Sequence, residues 1–376
     1  ITKLQELKTY IDQAISAGLV AYDSECDSLD TLSAKMIGFS LCYEKGKAVY
    51  IPIQQSSQDL FNQTEYIEEK DALEQLIRLF TDSKVKIIMH NAKFDLKLLL
   101  ARWKKITKAD NFDFNLLNLN LSDTMIIAWL LNPEHLGKNG YSLEYLGETM
   151  LGLKGIEFKD IVQKGQTFAD VALENAYKYA AEDADFTYQL YLNLKEKWDK
   201  ECQKHDKEQM NSLLSMEMKV LPILTKMELT GIHLDSENLK NYNLELTKGI
   251  EEAEKNIYKE VGHEFNIASP KQLQTVLFEE RGLKPGKKTK TGYSTDTTVL
   301  EELAYLDPVP KMILEYREMA KLKSTYVETL PTLVDSEGRI HTDFVQTGTA
   351  TGRLSCREPN LQNLLVCSDA GRSFSG

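Results

Sequence analysis

Short apolar runs alternate with helical patterns over the first 200 residues, and this alternation constrains the fold more than any other feature of the chain. Residues 19–23, 36–43 and 48–53 are rich in β-branched and aromatic side chains, and a hairpin-type loop separates the last two runs. A fourth run, at 85–89, passes directly into a helical pattern. Strands that alternate with helices are typical of α/β domains. We therefore predict an α/β domain that ends near residue 200.

Long helical stretches dominate beyond that point. Residues 238–261 carry Leu, Ile and Tyr at helical spacing, and Ser269 followed by Pro270 and Gln272 is a typical capped helix start. From residue 338 the sequence alternates as a β-strand does, and residues 347–353 are too rich in Gly and Thr for a regular element. The second part is therefore predicted to be mainly α-helical, with a short β-containing region at its end.

Composition excludes several classes of protein. A chain of 376 residues is too long for one ordinary core, so we expect two or three domains. The 42% apolar and 27% charged fractions are typical of soluble globular proteins, and no apolar run approaches the roughly 20 residues that span a bilayer. The five cysteines form no C-x-x-C pair, which argues against a structural zinc site. Because the chain opens on Ile1 without a leader pattern, we expect a fragment whose true start is missing.

Charge is distributed unevenly along the chain. The formal net charge of −12 lies within residues 1–265, since residues 266–376 hold equal numbers of acidic and basic residues. Such a chain is not a simple nucleic-acid binder that relies on bulk positive charge. The distribution instead fits an acidic first part that needs a metal ion and a neutral last part with local basic clusters.

Two carboxylates end the first predicted strand. Asp23 and Glu25 are two residues apart, and the period of a strand places both side chains on the same face. Two carboxylates held in this way can share a divalent cation. An isolated D-x-E tripeptide is also expected by chance, so a solvated strand end stays an open alternative at this point.

A tyrosine and an aspartate share one face of a later helix. Tyr179 and Asp183 lie four residues apart, about one helical turn. A phenol in this position can orient a water molecule beside a metal-bound carboxylate. The pattern is equally compatible with a pair of neighbours on a helix surface.

Two further aspartates follow predicted strands. Asp95 falls in the first turn of the helix after residues 85–89, where a carboxylate can also serve only as a favourable partner of the helix dipole. Asp123 precedes the helical run at 124–131, and we interpret it as an N-cap rather than a ligand.

The order of these residues resembles a known family. D-x-E on the first strand, Asp after a later strand and Y-x-x-x-D in the last helix of the domain occur within residues 21–30, 90–95 and 179–185. These segments resemble the three exonuclease motifs of the proofreading domain of bacterial DNA polymerase I, a family A polymerase, in the DEDD superfamily with tyrosine in the third motif. The resemblance implies a ribonuclease H-like exonuclease domain, a mixed sheet flanked by helices, over residues 1–200.

The resemblance also implies roles for five catalytic residues. Asp23 would bridge two Mg²⁺ ions, for which Mn²⁺ can substitute, and Glu25 and Asp183 would bind the ion that carries the attacking water. Asp95 would bind the second ion, and Tyr179 together with Glu25 would orient the nucleophile. Four carboxylates suit Mg²⁺, since this ion prefers hard oxygen ligands. The implied reaction releases deoxynucleoside 5′-monophosphates from the 3′ end of DNA.

Three more positions match family residues that contact the DNA substrate. Leu29 and Phe158 resemble positions that sandwich the terminal bases, and Asn91 resembles a position near the substrate backbone. Stacking on such side chains is tolerant of sequence because every base has an apolar face. The alternative for Leu29 and Phe158 is a place in the protein core.

The second half continues the resemblance. Residues 264–278 and 313–326 resemble thumb helices, and residues 349–355 and 359–363 resemble the palm stretch along the primer–template minor groove. We therefore expect residues 201–235 to start the polymerase domain, 236–335 to form a helical thumb that grips duplex DNA, and 336–376 to form a partial α+β palm. The implied DNA contacts are Lys287, Lys288 and Lys290 in the thumb loop that also holds Lys284, Arg353 at the terminal base pair, and Asn360, Gln362 and Asn363.

The sequence also departs from this family. The strand with the polymerase Asp, the fingers helix with its Arg and Lys and the H-D-E motif are absent from these 376 residues, so we do not expect this chain to extend a primer. A non-catalytic DNA-binding fragment and a ribonuclease-D-like enzyme acting on RNA stay as alternatives. We expect a monomer in the bacterial cytoplasm, without a membrane partner.

Overall fold

The computed structural model describes residues 1–53, 66–108, 116–134, 140–286, 288–289 and 292–362. These residues form two compact units. The first unit comprises the described residues of Ile1–Thr230 and Asp343–Cys356, and the second comprises those of Gly231–Thr342 and residues 357–362. The two units thus alternate along the sequence, and each consists of two segments.

A five-stranded mixed sheet forms the centre of the first unit. Its strands are β1 (Leu19–Cys26), β2 (Met36–Cys42), β3 (Val49–Pro52), β4 (Lys86–Met89) and β5 (Leu121–Asp123), arranged in the order β3-β2-β1-β4-β5. Strands β1, β2 and β3 are antiparallel neighbours, whereas β4 runs parallel to both β1 and β5. Ala21 pairs with Ile88, so the carboxyl end of β4 lies beside the middle of β1. The segments that carry Asp23 and Asp95 therefore begin next to each other.

Eight helices accompany the sheet in the described part of this unit. The main core joins residues of β1, β2 and β4 with apolar faces of the helices, for example Leu7 and Ile11 of the first helix and Leu73 and Leu76 of the second. The first helix ends at Gly18, whose φ of 71° is the left-handed conformation that favours glycine after a helix. The helices are α1 (Leu4–Ala17), α2 (Glu69–Thr81), α3 (Ala92–Thr107), α4 (Thr124–Leu131), α5 (Leu143–Leu146), α6 (Phe158–Ile161), α7 (Leu173–Lys204) and α8 (Lys207–Thr230).

The second unit is built mainly from helices. After β6 (Ile232–His233) come α9 (Ser236–Val261), α10 (Pro270–Gln274), the short hairpin β7 (Lys288–Thr289) and β8 (Gly292–Tyr293), α11 (Thr297–Leu303), α12 (Pro308–Leu322) and β9 (Arg339–Ile340). Helix α9 contributes to two apolar clusters, one around Tyr242 and Tyr326 and one around Ile257 and Leu273. Wider π-type turns at Thr275–Glu280 and Lys323–Val327 extend α10 and α12.

The chain returns to the first unit at Asp343. Strands β10 (Asp343–Val345) and β11 (Ser355–Arg357) pair with each other. The loop between them is fixed to the helices of the first unit, since the Trp129 indole donates a hydrogen bond to the Thr349 carbonyl (3.0 Å) and the Gln346 amide contacts Glu217.

The structure confirms the predicted fold class, a mixed sheet flanked by helices followed by a mainly helical region. The predicted caps are also confirmed, because Asp123 accepts hydrogen bonds from the amides that start α4, and Ser269 accepts one from the Gln272 amide. Residues 201–230 and 343–356 pack with the first unit, a grouping by contact alone. The functional division at residues 200, 235 and 335 stays a prediction. No described helix is both long enough and apolar enough to cross a membrane.

Candidate active site

Three carboxylates from two elements converge at the carboxyl end of the central strand. Asp23, Glu25 and Asp183 each place a carboxylate oxygen within 4.8 Å of those of the other two. Strand β1 presents Asp23 and Glu25 from one face because they are two residues apart, and helix α7 supplies Asp183. The arrangement brings together residues about 160 positions apart in the sequence.

A tyrosine and a glycine form the floor beside Glu25. Gly38 of β2 pairs with Glu25, and the Tyr50 ring covers this glycine so closely that a Cβ atom there would lie 2.3 Å from the Tyr50 hydroxyl oxygen. The side chain of Tyr50 is buried, and burial together with the charge of Glu25 raises the pKa of its phenol. Only glycine at position 38 therefore leaves room for Tyr50 next to the carboxylates.

Asp95, the fourth predicted carboxylate, is held by Ser24, which lies between Asp23 and Glu25 on β1. Its Oδ1 accepts hydrogen bonds from the Ser24 amide (3.1 Å) and the Ser24 hydroxyl (2.5 Å). Asp95 is not a member of the group of three, yet its charge helps to raise the pKa values of Asp23 and Glu25. The structure thus places Asp95 beside the cluster, attached to the same strand.

The turn that delivers Asp95 is fixed by Asp123. Asn91 adopts a left-handed conformation with φ of 62°, an orientation that Asn tolerates better than most residues. The Asp123 carboxylate accepts hydrogen bonds from the Asn91 amide (3.3 Å) and the Ala92 amide (2.7 Å), while it also caps α4 through the Met125 amide. One buried carboxylate therefore fixes the start of α3 as well as that of α4.

Burial and mutual repulsion raise the pKa values of the clustered carboxyls. Desolvation is the main cause for Asp23, Glu25 and Asp183, and the charges of the neighbouring carboxylates add to it. A hydrogen bond from the Tyr179 hydroxyl acts in the opposite direction on the pKa of Asp183. Holding all of these groups ionised at neutral pH therefore requires a positive charge in their midst.

The donor set fits a divalent cation. The Glu25 Oε1 atom is buried and has no hydrogen-bond partner among the described residues, which is costly for a polar atom unless a ligand satisfies it. The group offers carboxylate oxygens without a histidine or thiol, the donor type preferred by hard cations. These residues can therefore hold a metal ion, and their chemistry favours a hard one.

An aromatic wall stands next to the cluster. The Tyr179 ring lies 6.1 Å from that of Phe158 and 6.0 Å from that of Phe168. Phe158 is 46% exposed and Leu29 is 88% exposed, so neither side chain is part of the core. Asn91 is also exposed. The alternative of core positions for Leu29 and Phe158 was wrong, and their contacts with DNA stay a prediction.

The predicted DNA contacts of the second half are surface residues where they are described. Lys284, Lys288 and Arg353 are exposed. Asn360 and Gln362 are exposed as well, and the Asn360 side chain accepts a hydrogen bond from the Gln362 amide (3.1 Å). Lys287, Lys290 and Asn363 lie outside the described residues.

Four residues that support the site were not predicted from the sequence. Ser24 and Tyr50 carry no pattern in the sequence that marks them, and Gly38 is one of many glycines. Glu182 precedes Asp183 within the third motif, and helical spacing alone does not distinguish it from an ordinary surface acid. The recognised cap Asp123 contacts the Asn91 turn through a long-range hydrogen bond that periodicity does not reveal.

Comparisons with known proteins agree with this geometry. A family model for 3′-5′ exonuclease matches residues 1–199, and one for DNA polymerase family A matches residues 236–375. DNA polymerase I of Treponema pallidum is 39% identical over 407 residues, covering 100% of this chain and 39% of that protein. DNA polymerase I of Borreliella burgdorferi is 38% identical, covering 100% of this chain and 38% of that protein. This chain thus spans about two fifths of the length of these curated relatives.

A solved structure extends the agreement to the fold. The POL domain of Pol1 from M. smegmatis, solved in complex with DNA primer-template and dNTP, superimposes with a TM-score of 0.76 at 27% sequence identity, covering 98% of this chain and 56% of that one. The exonuclease model spans more than half of the chain, and its residue range contains the three clustered carboxylates. The chain therefore belongs to the 3′-5′ exonuclease family, in the form joined to a family A polymerase region as in bacterial DNA polymerase I.

Proposed function

We propose that this chain hydrolyses DNA from its 3′ end, one nucleotide at a time, at the carboxylate cluster of the first unit. The observation that carries the proposal is the convergence of Asp23, Glu25 and Asp183 within 4.8 Å, beside Tyr179. Oxygen ligands of this kind are suited to Mg²⁺, and we propose two such ions with Mn²⁺ as a substitute. When bound, the ions supply a nucleophile from water at neutral pH and balance the charge that develops on the phosphoryl group.

The protein side chains divide the remaining tasks. Asp23, Glu25 and Asp183 would hold one ion, and Asp95 with Asp23 would hold the second. The Glu25 carboxylate would accept a hydrogen bond from the attacking water, and the Tyr179 hydroxyl, which donates to Asp183, would help to orient that water. Attack of the water oxygen on phosphorus breaks the bond to the 3′ oxygen, which leaves with a proton. The product is a nucleoside 5′-monophosphate.

The substrate is proposed to be an unpaired 3′ end. Leu29 and Phe158 are both exposed, as is needed for stacking and wedging between terminal bases, and Phe158 lies beside Tyr179. Asn91 lies at the exposed turn that starts α3, where its side chain can contact the substrate backbone. Apolar contacts of this kind select a frayed end rather than a sequence.

The thumb and palm segments are proposed to bind primer–template duplex, since the structural neighbour was solved in complex with DNA primer-template. Exposed Lys284 and Lys288 in the thumb loop, with Lys287 and Lys290, would contact phosphates and release counterions. Arg353 would approach the terminal base pair from the minor groove, together with Asn360, Gln362 and Asn363. In this proposal residues 1–200 form the exonuclease domain, 201–235 the start of the polymerase domain, 236–335 the thumb and 336–376 part of the palm. We further propose a monomer that acts in the bacterial cytoplasm, where the chromosome lies.

The test uses a 5′-labelled single-stranded DNA oligonucleotide with Mg²⁺. The expected result is a descending ladder with release of 5′-monophosphates, and Asp23→Ala should reduce the rate at least about a thousandfold. An RNA oligonucleotide of identical sequence should be degraded far more slowly. No shortening at any Mg²⁺ or Mn²⁺ concentration, or shortening that persists in Asp23→Ala, would remove the proposal. Preference for RNA would instead favour the ribonuclease alternative.

A further inference from the structure

One residue of the third motif contacts a loop rather than the carboxylate cluster. The Glu182 Oε1 atom accepts a hydrogen bond from the Ile156 amide at 2.6 Å. Ile156 precedes Phe158 by two residues, and Phe158 begins α6, a helix of four residues. Such a short helix has little stability of its own. The position of Phe158 must therefore be set by contacts that the adjoining residues of the loop make.

The chain approaches helix α7 closely at two glycines, Gly155 in this loop and Gly147 in the helical turn before it. A Cβ atom on Gly155 would lie 2.7 Å from Glu182 Oε1 and 3.1 Å from Phe186 Cε2, and one on Gly147 would lie 3.2 Å from Phe186 Cδ2. The backbone therefore rests directly against Glu182 and Phe186. Any side chain at position 155 would push the loop away from the carboxylate that it contacts.

Helix α7 carries both the residue that holds the loop and residues of the site beside Phe158. Tyr179, Glu182 and Asp183 are all on this helix, and the Phe158 ring stands edge-on to the Tyr179 ring with 6.1 Å between centroids. Ile156 and Ile161 pack on the small apolar cluster that contains Tyr179. The hydrogen bond from Ile156 to Glu182 therefore fixes the distance between Phe158 and the nucleophile-orienting tyrosine.

We infer that Glu182 is a positioning residue, which fastens the 155–158 segment to helix α7 so that Phe158 stands ready for the terminal base of single-stranded DNA. The inference rests on the proposed exonuclease function. Glu182 touches neither substrate nor metal in this scheme, since its Oε1 atom is occupied by the Ile156 amide. Its contribution is to substrate affinity and not to the hydrolytic step.

An electrostatic role is the competing explanation, because the charge of Glu182 also acts on neighbouring Asp183. Two substitutions separate the two roles. Glu182→Gln removes the charge but keeps an oxygen that accepts from the Ile156 amide, whereas Glu182→Ala removes both. Positioning predicts that Glu182→Gln resembles the wild type, and electrostatics predicts that it resembles Glu182→Ala.

The experiment measures KM and kcat on single-stranded DNA for the full chain. Glu182→Ala should raise KM about tenfold, the loss expected when one stacking contact is weakened, with kcat within about twofold of the wild type. Gly155→Ala disturbs the same contact from the loop side and should give the same change. Phe158→Ala should do so too, and Glu182→Ala combined with Phe158→Ala should be no worse than Phe158→Ala alone. Glu174→Ala, which removes an exposed partner of Lys178 on the same helix, should leave both parameters unchanged.

A binding measurement keeps the test independent of catalysis. In an Asp23→Ala background, Glu182→Ala should weaken single-stranded DNA binding by a similar factor, measured by fluorescence anisotropy with Mg²⁺ present. The inference is overturned if Glu182→Gln is as impaired as Glu182→Ala, if the two losses in the double variant multiply, or if kcat falls while KM is unchanged. If the wild type is active and Asp23→Ala inactivates it, any of these results would remove only the proposed role of Glu182. An inactive wild type would instead remove the proposed function itself.

Discussion

Two groups of acids in the first unit, one partly buried and one centred on the buried Glu228, differ in what balances their charge. Asp23, Glu25 and Asp183 gather with one another, and desolvation and mutual repulsion raise their pKa values. Glu228 is more deeply buried than Asp23 and Asp183, which are half-buried, but it forms ion pairs with Lys93 and, at 2.7 Å, with Lys97. The first group is incomplete without a cation from solution, whereas the second is neutralised by the chain itself.

The second group is a structural network at the junction of the chain. Glu228 lies just before the chain leaves the first unit, and Asp343 is where the chain returns. Lys93 contacts both carboxylates and the Phe344 carbonyl, and the Phe344 amide donates to Glu228 at 2.7 Å. The difference between the two groups teaches that burial of an acid marks a functional site only when the fold supplies no partner for its charge.

The largest effect is expected from breaking the paired group. Glu228→Ala leaves Lys93 and Lys97 buried without their shared partner, so the free energy of unfolding should fall by about 3–5 kcal/mol. Urea unfolding followed by tryptophan fluorescence is a direct measurement, because Trp103, Trp129 and Trp198 all lie in the first unit.

A matched variant tests the cause of that loss. Replacing all four charged residues of the network, with Lys93→Met, Lys97→Met, Glu228→Leu and Asp343→Asn together, should recover most of the stability, since none of these charges then remains. A loss below about 1 kcal/mol for Glu228→Ala would mean that water reaches this network and that the comparison fails.

A substitution in the clustered carboxylates should instead increase the free energy of unfolding. Asp23→Asn removes one of the repelling charges, so the metal-free protein should gain about 1–2 kcal/mol of unfolding free energy while exonuclease activity is lost. The exposed Asp160→Asn serves as control and should change neither quantity. If Asp23→Asn is instead less stable than the wild type in EDTA, repulsion among the clustered carboxylates does not limit the stability of the metal-free protein.

The stability of the metal-free protein should also depend on pH, because the clustered carboxyls have raised pKa values. Because the folded-state pKa values of Asp23, Glu25 and Asp183 are raised, the folded metal-free protein binds more protons than the unfolded chain. Its stability is therefore greatest at acid pH within the folded range and should decline, by about 1 kcal/mol relative to Asp23→Asn, as the pH rises from about 5 to about 8.

Adding Mg²⁺ should remove that decline, since the cation favours the ionised carboxylates and its binding releases protons. Thermal unfolding at several pH values, with EDTA and with Mg²⁺, checks both statements. Identical pH profiles for the wild type and Asp23→Asn in EDTA would show that the cluster does not titrate in this range.

The smallest effect is expected at the surface of α7. Lys195 pairs with Asp199 at 2.8 Å, and both side chains are more than half exposed. Lys195→Ala should change the unfolding free energy by no more than the uncertainty of the urea measurement, because water and salt screen such pairs. A loss comparable with that of Glu228→Ala would show that burial does not distinguish the ion pairs of this protein.

Much of the site was predictable because its patterns are local. The shared face of Asp23 and Glu25 follows from the strand period, and that of Tyr179 and Asp183 follows from the helix period. The cap at Asp123 follows from its place before an apolar helix. Each of these features needs only a few neighbouring residues, and the structure confirms that local geometry.

Other features depend on residues far apart in the chain. Ser24 and Asp95 are separated by 71 positions, Lys93 and Glu228 by 135, and no periodic pattern connects them. The contact of Tyr50 with Gly38 and the hydrogen bond from the Ile156 amide to Glu182 likewise follow from no local pattern. Both form only when the chain has folded.

The sequence by itself determined the strands, the long helices, their caps and which acidic side chains share a face, since these follow from backbone periods and from hydrogen bonds between near neighbours. Only the tertiary structure decided that three carboxylates face one another while Glu228 faces two lysines. The physical reason is that the energy of a buried charge depends on what surrounds it in space, and packing brings those surroundings from distant parts of the chain.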